Sequence, residues 1–367
     1  MEHPENDKAY KGLKVNDGVE RLSSVNPYLS QLRRKRAVTL SVNDYVEGIL
    51  RGDVTVLSRA VTLVESLLPE HQAVAQEIVE KLLPYSGKSL RVGITGVPGA
   101  GKSTSIDAFG IHILERCGGK LAVLAVDPSS ERSKGSILGD KTRMERLSAR
   151  ADAFIRPSAS AGSLGGVARK TRETIILCEA AGYDTVFVET VGVGQSETAV
   201  YSMVDFFLLI QIAGAGDELQ GIKRGIMEMA DGVVINKADG ANKDEAERAA
   251  AHYRSALQLF PMPLSGIRPQ VLTYSGFYDI GIKEIWDMLL DYVAKVKANG
   301  AFEARRNNQA KYWMYEAINE QLRNRFYNAN GVEGMLAMYE KELLAGNMTS
   351  FAAAAKMLGY YDSITKR

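Results

Sequence analysis

The sequence predicts an α/β protein with a mostly parallel sheet, flanked by helical segments at both ends. Between residues 89 and 297, short apolar runs alternate with helix-length segments, a pattern typical of parallel strands covered by helices. Residues 1–88 and 298–367 contain no strand-like run. We therefore expect an N-terminal helical region, an α/β domain and a C-terminal helical extension.

In the N-terminal region, apolar residues recur at the three- and four-residue steps of amphipathic helices. This spacing covers 41–68 and 70–83, with Pro69 between the two segments. Ser41 or Asn43 is a candidate cap for the first helix. We therefore expect a small helical unit before the first strand.

Seven apolar runs in the middle of the chain are short enough to be buried strands. They are 90–96, 120–127, 153–157, 183–190, 205–214, 231–239 and 269–276. Three helical segments follow the last run, at 302–326, 331–345 and 350–358. A helical tail after a complete domain either packs on that domain or joins two subunits.

The composition limits the classes of partner and compartment. The chain has 367 residues, of which 46% are apolar and 24% charged, which is ordinary usage for a globular protein. Its net charge is +1, so we expect neither nucleic acid nor a membrane surface as a partner. Cys117 and Cys178 are too few for a disulfide framework, and the acidic first ten residues resemble no signal or transit peptide. We predict an unprocessed, cytoplasmic chain.

A glycine-rich motif, G-x-x-x-x-G-K-S, follows the first predicted strand and precedes a helix predicted to begin at Lys102. The residues assigned to it are Gly96, Val97, Pro98, Gly99, Ala100, Gly101, Lys102, Ser103 and Thr104. In such a loop, backbone N–H groups surround a phosphate, the lysine reaches the terminal phosphates and the hydroxyl that follows binds Mg²⁺. The motif predicts binding of a nucleoside triphosphate.

A second motif predicts which base is bound. Asn236-Lys237-Ala238-Asp239 follows a strand and resembles the guanine-specificity element of GTPases. The Asp239 carboxylate can accept hydrogen bonds from the guanine N1–H and amino groups, whereas adenine presents the opposite donor pattern. One strand later, Ser275-Gly276-Phe277 lies where GTPases complete the base contact. We expect GTP and GDP to be preferred over adenine nucleotides.

Carboxylates follow two other predicted strands. Asp127 and Glu189 lie at strand ends beside the phosphate loop, where they are suitable magnesium ligands. Gly192 resembles the glycine whose N–H senses the γ-phosphate in GTPases, so we assign Lys102, Asp127, Glu189 and Gly192 to the catalytic set. Val193 stands where Ras-type enzymes have the glutamine that orients water, which predicts slow hydrolysis.

Three longer strings resemble the MeaB/ArgK group of GTPases, relatives of the human methylmalonic aciduria type A protein. They are 127–144, which contains Asp-Pro-Ser-Ser and Gly-Asp-Lys-Thr-Arg-Met, 189–197, Glu-Thr-Val-Gly-Val-Gly-Gln-Ser-Glu, and 214–226, which begins Gly-Ala-Gly-Asp-Glu-Leu-Gln-Gly. The resemblance runs from about residue 44 to the final helices. It implies a P-loop NTPase fold of the signal-recognition-like GTPase class and a homodimer that uses the helical extensions.

The resemblance also implies a function and further site residues. The family serves adenosylcobalamin-dependent methylmalonyl-CoA mutase as a G-protein chaperone, gating cobalamin loading and protecting the mutase; the motifs do not distinguish this partner from a related acyl-CoA mutase. By position, the implied magnesium residues are Ser103, Asp127, Asp140 and Glu189. The implied switch and partner residues are Gln195, Asp217, Glu218, Gln220 and Lys223.

Two alternatives within the same fold stay open at this point. A metallochaperone GTPase usually carries histidine or cysteine clusters, whereas the four histidines here, His3, His71, His112 and His252, are scattered. A kinase acting on a small molecule or a transport protein would require adenine selection, against which Asp239 argues. Nucleotide preference separates the kinase from the GTPase.

Overall fold

Seven parallel strands form a single sheet in the part of the chain that the structure describes. The computed structural model describes residues 40–126, 143–157, 164–190, 196–214 and 224–365. The strands are β1 (Leu90–Gly96), β2 (Leu121–Val126), β3 (Ala153–Arg156), β4 (Thr185–Thr190), β5 (Phe206–Ile212), β6 (Gly232–Asn236) and β7 (Gln270–Thr273). Their spatial order is β3-β2-β4-β1-β5-β6-β7, and every neighbouring pair is parallel. Each strand lies in one of the seven predicted runs, which confirms the α/β fold class.

Helices precede, cover and follow the sheet. Before it lie α1 (Val42–Leu50), α2 (Val54–Glu65) and α3 (Pro69–Leu82). Between strands lie α4 (Lys102–Arg116), α5 (Glu145–Ser148), α6 (Leu164–Ala180), α7 (Ser196–Tyr201), α8 (Arg224–Met229) and α9 (Lys243–Gln258). After it lie α10 (Ile282–Ala298), α11 (Ala301–Tyr327), α12 (Val332–Leu344) and α13 (Ser350–Thr365). The division into segments ending at 88 and 297 stays a prediction.

Alternating side chains of the strands build a core on each face of the sheet. On β5, Phe206 and Leu208 pack with residues of α4 and α10, whereas Leu209 packs with residues of β6, α8 and α9. Successive side chains of a strand point to opposite faces, so a strand buried on both faces must be apolar throughout. The near-continuous apolar runs of the sequence therefore become the middle layer of a three-layer fold.

The N-terminal helical prediction requires one correction. The predicted helix 41–68 is two helices, because the chain turns at Gly52, which has a left-handed φ of 76°. Asp53 then caps α2, since its carboxylate accepts hydrogen bonds from the backbone of Thr55 at 2.8 Å and of Val56 at 3.1 Å. Asn43 lies inside α1 and does not cap it. The sequence does not indicate this turn, because the three- and four-residue spacing of apolar residues continues across it.

The first part of α11 is tied to the amino ends of β5 and β6. Arg306 contacts the buried carboxylate of Asp205 with Nε and Nη2, both at 2.7 Å, and Arg305 contacts Asp231 at 2.7 Å. Trp313 Nε1 donates to the carbonyl of Ser202 at 3.0 Å. The C-terminal extension thus begins as part of the folded body. Its last helix continues to Thr365, beyond the predicted end at 358.

No helix in the described part of the chain is long and apolar enough to cross a membrane.

Candidate functional site

The phosphate-loop motif lies at the carboxyl end of β1, the central strand, and leads directly into α4. Glycine is required at two of its positions. A Cβ on Gly96 would lie 2.1 Å from the carbonyl oxygen of Ile210 on the neighbouring strand, and one on Gly101 would lie 2.6 Å from Asn236 Nδ2. Gly101 also has a left-handed φ of 85°. The loop is thus in the strand–loop–helix context that an anion-binding helix N-terminus requires.

Lys102, the first residue of α4, points back over this loop. Its Nζ donates to the carbonyl oxygens of Gly96 at 3.0 Å and Val97 at 3.3 Å, and the side chain is buried. Burial lowers its pKa, and the carboxylates of Glu189 and Glu197 oppose that shift. An ammonium group held at low exposure above a glycine-rich loop is suited to the terminal phosphates of a nucleotide.

Ser103 and Glu189 place two oxygen donors together beside the loop. Ser103 Oγ donates to Glu189 Oε1 at 3.3 Å, and Glu189 is buried near the end of β4. The next residue, Thr190, donates from Oγ1 to Thr95 Oγ1 at 2.8 Å and so ties the end of β4 to β1. A hydroxyl and a carboxylate are the hard ligands that Mg²⁺ prefers, and the pair fits such an ion.

Asn236 joins the predicted base motif to the phosphate loop. Its Nδ2 donates to the carbonyl of Ala100 at 2.7 Å. Its Oδ1 accepts from the backbone of Lys237 at 2.8 Å and of Gly276 at 3.0 Å. One buried amide therefore holds three backbone segments, and the sequence had marked it only as part of a motif.

The remaining base-motif residues converge at the same place. Ser275 Oγ donates to Asp239 Oδ2 at 2.6 Å, which brings the two predicted loops into contact. Lys237 adopts a left-handed φ of 61°, and its carbonyl accepts from Asn242 Nδ2 at 2.7 Å. The Phe277 ring is 77% exposed beside them. The structure thus assembles the predicted base pocket from β6 and the loop after β7.

Several predicted site residues lie outside the described residues. They are Asp127, Asp140, Gly192, Gln195, Asp217, Glu218, Gln220 and Lys223. Their assigned roles stay predictions. Of the four predicted magnesium residues, Ser103 and Glu189 lie in the described part of the chain. In that part, no group of three or more His, Cys, Asp or Glu side chains is arranged to hold a metal ion.

Two further features of the site were not singled out from the sequence. Glu197, in the first turn of α7, is 2% exposed and acts electrostatically on Lys102. The Tyr274 hydroxyl lies 2.6 Å from Ser105 Oγ and links the base-loop strand to the first turn of α4. The sequence could have indicated Glu197, because it is the last residue of the 189–197 string that resembles the GTPase family. Nothing in the sequence indicates the pairing of Tyr274 with Ser105.

Comparison with known proteins agrees with this geometry. Residues 57–331 match the model of the family described as methylmalonyl-CoA mutase-associated GTPase MeaB. The chain belongs to the MeaB family. It is 48% identical to the GTPase ArgK of Escherichia coli over 300 residues, which is 82% of this chain and 89% of that protein. It is 44% identical over 326 residues to the mitochondrial methylmalonic aciduria type A homolog of Mus musculus, covering 86% of this chain and 78% of that protein.

A solved relative extends the likeness to three dimensions. The crystal structure of an LAO/AO transport system kinase has a TM-score of 0.70 and 37% sequence identity, and the match covers 88% of this chain and 97% of that one. The MeaB-family chain is thus a P-loop GTPase that binds GTP and GDP and hydrolyses GTP. The predicted resemblance and the predicted activity are confirmed.

Proposed function

We propose that this GTPase is a chaperone of adenosylcobalamin-dependent methylmalonyl-CoA mutase, gating cobalamin loading and protecting the loaded mutase. The observation that carries the proposal is the match to the mutase-associated family over residues 57–331, across both the phosphate loop and the base pocket. A gate needs a site that distinguishes GTP from GDP. Glu189, near the end of β4, lies beside the phosphate loop, and the 189–197 string begins with it.

The nucleotide contacts follow from the chemistry of the assembled residues. We assign the phosphates to the backbone of 96–104 with Lys102, and the guanine base to Asp239, Asn236, Lys237 and the loop 275–277. The Ser275 hydroxyl orients Asp239, because it donates to one carboxylate oxygen and leaves the other oxygen able to accept. Guanine can then use the remaining acceptor capacity of that carboxylate.

Magnesium is the ion we assign to Ser103 and Glu189, with Asp127 and Asp140 as the further predicted ligands. When bound, Mg²⁺ would neutralise charge on the β- and γ-phosphate oxygens. The chain itself contributes the Lys102 ammonium, which lies within hydrogen-bond distance of two carbonyl oxygens of the phosphate loop.

Slow intrinsic hydrolysis is the proposed reason for a partner-dependent cycle. Val193 carries no group that could orient a water molecule, and Gln195 is two residues away in sequence. We therefore expect turnover by the free GTPase to rise when the mutase binds.

The test measures phosphate release from GTP and from ATP, with and without methylmalonyl-CoA mutase. GTP-only turnover that rises with the mutase supports the proposal. Lys102→Ala should abolish it, whereas Lys283→Ala, on the exposed face of α10, should not. Transfer of adenosylcobalamin to the apo-mutase, followed by its absorbance, should differ between GTP and GDP. Equal transfer with both nucleotides, or turnover unaffected by the mutase, contradicts the chaperone role; stimulation by another acyl-CoA mutase instead reassigns the partner.

We also propose that the protein is a homodimer that uses its C-terminal helices. On α11, Met314, Ile318 and Leu322 are spaced four residues apart and are 52%, 46% and 58% exposed, so they form an apolar stripe on one helix face. Such a stripe can pack into the grooves of another helix. Light scattering should show a dimer that Ile318→Glu with Leu322→Glu dissociates, while Arg323→Glu, which lies about 140° around the helix from Ile318, leaves it intact. A monomeric wild-type protein contradicts the proposal.

A further inference from the structure

The loop after β7 holds a non-glycine residue in an unusual backbone conformation. Asp279 has a φ of 54°, in the left-handed region that side chains other than glycine rarely adopt. The loop around it is closed by two backbone hydrogen bonds of 3.0 Å between Ser275 and Ile280. This same loop supplies the Ser275 hydroxyl to Asp239 and the Gly276 N–H to Asn236.

Arg146, on α5, donates hydrogen bonds to the Asp279 carboxylate from both terminal nitrogens of its guanidinium. Nη1 lies 2.7 Å from Oδ2 and Nη2 lies 3.1 Å from Oδ1. The third donor, Nε, lies 2.6 Å from Oδ2 of Asp107 on α4. These two carboxylates raise the pKa of Arg146, so the group stays fully charged. Bidentate geometry of this kind fixes orientation as well as distance.

Asp107 completes the connection to the phosphate loop. Its other oxygen, Oδ1, accepts from the backbone N–H of Leu147 at 2.9 Å, so α5 is fastened to α4 by two independent contacts. α4 begins at Lys102 of the phosphate loop, and α5 follows the segment 127–142 that carries Asp127 and Asp140. The guanidinium of Arg146 therefore connects the loop after β7 to α4, the helix that follows the phosphate loop.

We propose that Arg146 is a positioning residue for the guanine-binding loop. By holding Asp279 against α4, it keeps Ser275 and Gly276 where they contact Asp239 and Asn236. The inference rests on the base pocket proposed above. We call the contacts of Arg146 with Asp279 and Asp107 the clamp. These contacts include neither the Asn236–Asp239 motif nor the phosphate loop, so the effect of Arg146 passes through the loop backbone.

The contact with Arg146 also bears on the backbone conformation of Asp279. Glycine would adopt this φ without strain, and aspartate tolerates it better than most side chains but at some cost in backbone energy, which a compensating contact can offset. The Arg146 fork is that contact. Loss of the two hydrogen bonds between Arg146 and the Asp279 carboxylate should let the loop leave its conformation without unfolding the sheet. This pair lies at the surface, with Arg146 45% and Asp279 50% exposed.

The test measures dissociation constants by competition against a fluorescent N-methylanthraniloyl derivative of GDP. Arg146→Met should weaken GDP binding by about three- to fivefold, the upper part of the range expected of a half-exposed charged pair. Binding of ADP, which shares the phosphate contacts but cannot use the base loop in the same way, should change less than about twofold. Arg146→Lys keeps the charge without the fork and should give an intermediate loss.

Two further variants isolate the pair. Asp279→Gly accepts the left-handed backbone but lacks the carboxylate, so it should weaken GDP binding as Arg146→Met does. Combining the two should weaken GDP binding little further than Arg146→Met alone, because both remove the Arg146–Asp279 contact, and only Arg146→Met also removes the contact with Asp107. Arg150→Met is the matched control, since Arg150 makes a similar two-contact pair with Asp152, at 2.9 and 2.7 Å, away from the base loop.

Distinct outcomes separate the clamp from the base pocket. If Asp239→Asn weakens GDP binding while Arg146→Met does not, the clamp is wrong and the pocket stands. If Asp239→Asn also leaves GDP binding unchanged, the pocket assignment itself fails. An equal loss of GDP and ADP affinity in Arg146→Met, or additive losses in the double variant, would show a general structural role and overturn the proposal.

Discussion

Replacing Asn236 with alanine tests the connection between the two halves of the nucleotide site. The side chain is 4% exposed and makes hydrogen bonds to the backbone of Ala100, Lys237 and Gly276. Truncation would leave the carbonyl of Ala100 and the N–H of Gly276, both on buried residues, without these partners. Water cannot easily replace partners at a buried position, so the cost falls on the folded state.

The magnitude follows from the number of groups left unpaired. Each of the two buried polar groups that lose their partner costs about 1–3 kcal/mol, so we expect the free energy of unfolding to fall by about 2–6 kcal/mol. GDP affinity should fall by at least about tenfold, which corresponds to about 1.4 kcal/mol, because both loops around the nucleotide lose a shared anchor. Asn236→Asp should be worse, since it places a carboxylate oxygen where Nδ2 now donates to Ala100 at 2.7 Å.

Urea denaturation and GDP titration of the same samples provide the two measurements. Asn242→Ala is the matched control: its Nδ2 also donates to a backbone carbonyl, that of Lys237 at 2.7 Å, but in an exposed position. The control should lose no more than about 1 kcal/mol. The reasoning is refuted if Asn236→Ala is no less stable than the control and binds GDP as the wild type does.

Three other predictions address the lysine, the base contact and the C-terminal anchor. Burial lowers the pKa of Lys102 below its ordinary 10.5, and bound phosphates would raise it again, so GDP affinity should fall as pH rises through the lowered pKa. Titrations between about pH 7 and 10 should show a steeper fall than in Lys102→Arg, whose side chain stays charged, because ionisation of the guanine N1–H affects both proteins alike. Asp239→Asn should weaken GTP binding by about 100-fold or more and gain binding of xanthosine triphosphate, whose 2-oxo group accepts where guanine donates; competition binding measures both. Arg306→Met should reduce the free energy of unfolding by about 3 kcal/mol in urea, since it removes two contacts from the Asp205 carboxylate, which is 1% exposed; an unchanged urea midpoint would contradict the anchor.

Prediction from the sequence succeeded where local signals decide the structure. All seven strands lie in the predicted runs, and α4 begins at Lys102 as the motif requires. Apolar alternation and glycine placement are properties of neighbouring residues, so they can be read along the chain. The helix boundary at Gly52 was missed because the apolar spacing continues unchanged across this single glycine turn.

Contacts between distant residues could not be obtained in this way. Asn236 meets Ala100, 136 positions earlier, and Arg146 meets Asp279, 133 positions later. No local pattern specifies which carboxylate an arginine will reach, because the packing of α4, α5 and the loop after β7 decides it. Glu197 is similar: its proximity to Lys102 arises from where α7 begins after β4.

The sequence by itself determined the fold class, the phosphate loop and the choice of guanine, because each depends on residue types at short, fixed spacings. Only the tertiary structure decided how these parts are held together. The buried amide of Asn236 joins the base motif to the phosphate loop, and the Arg146 fork fastens the base loop to α4. Both are hydrogen-bonded contacts whose partners become neighbours only after the parallel sheet has brought the ends of its strands to one edge.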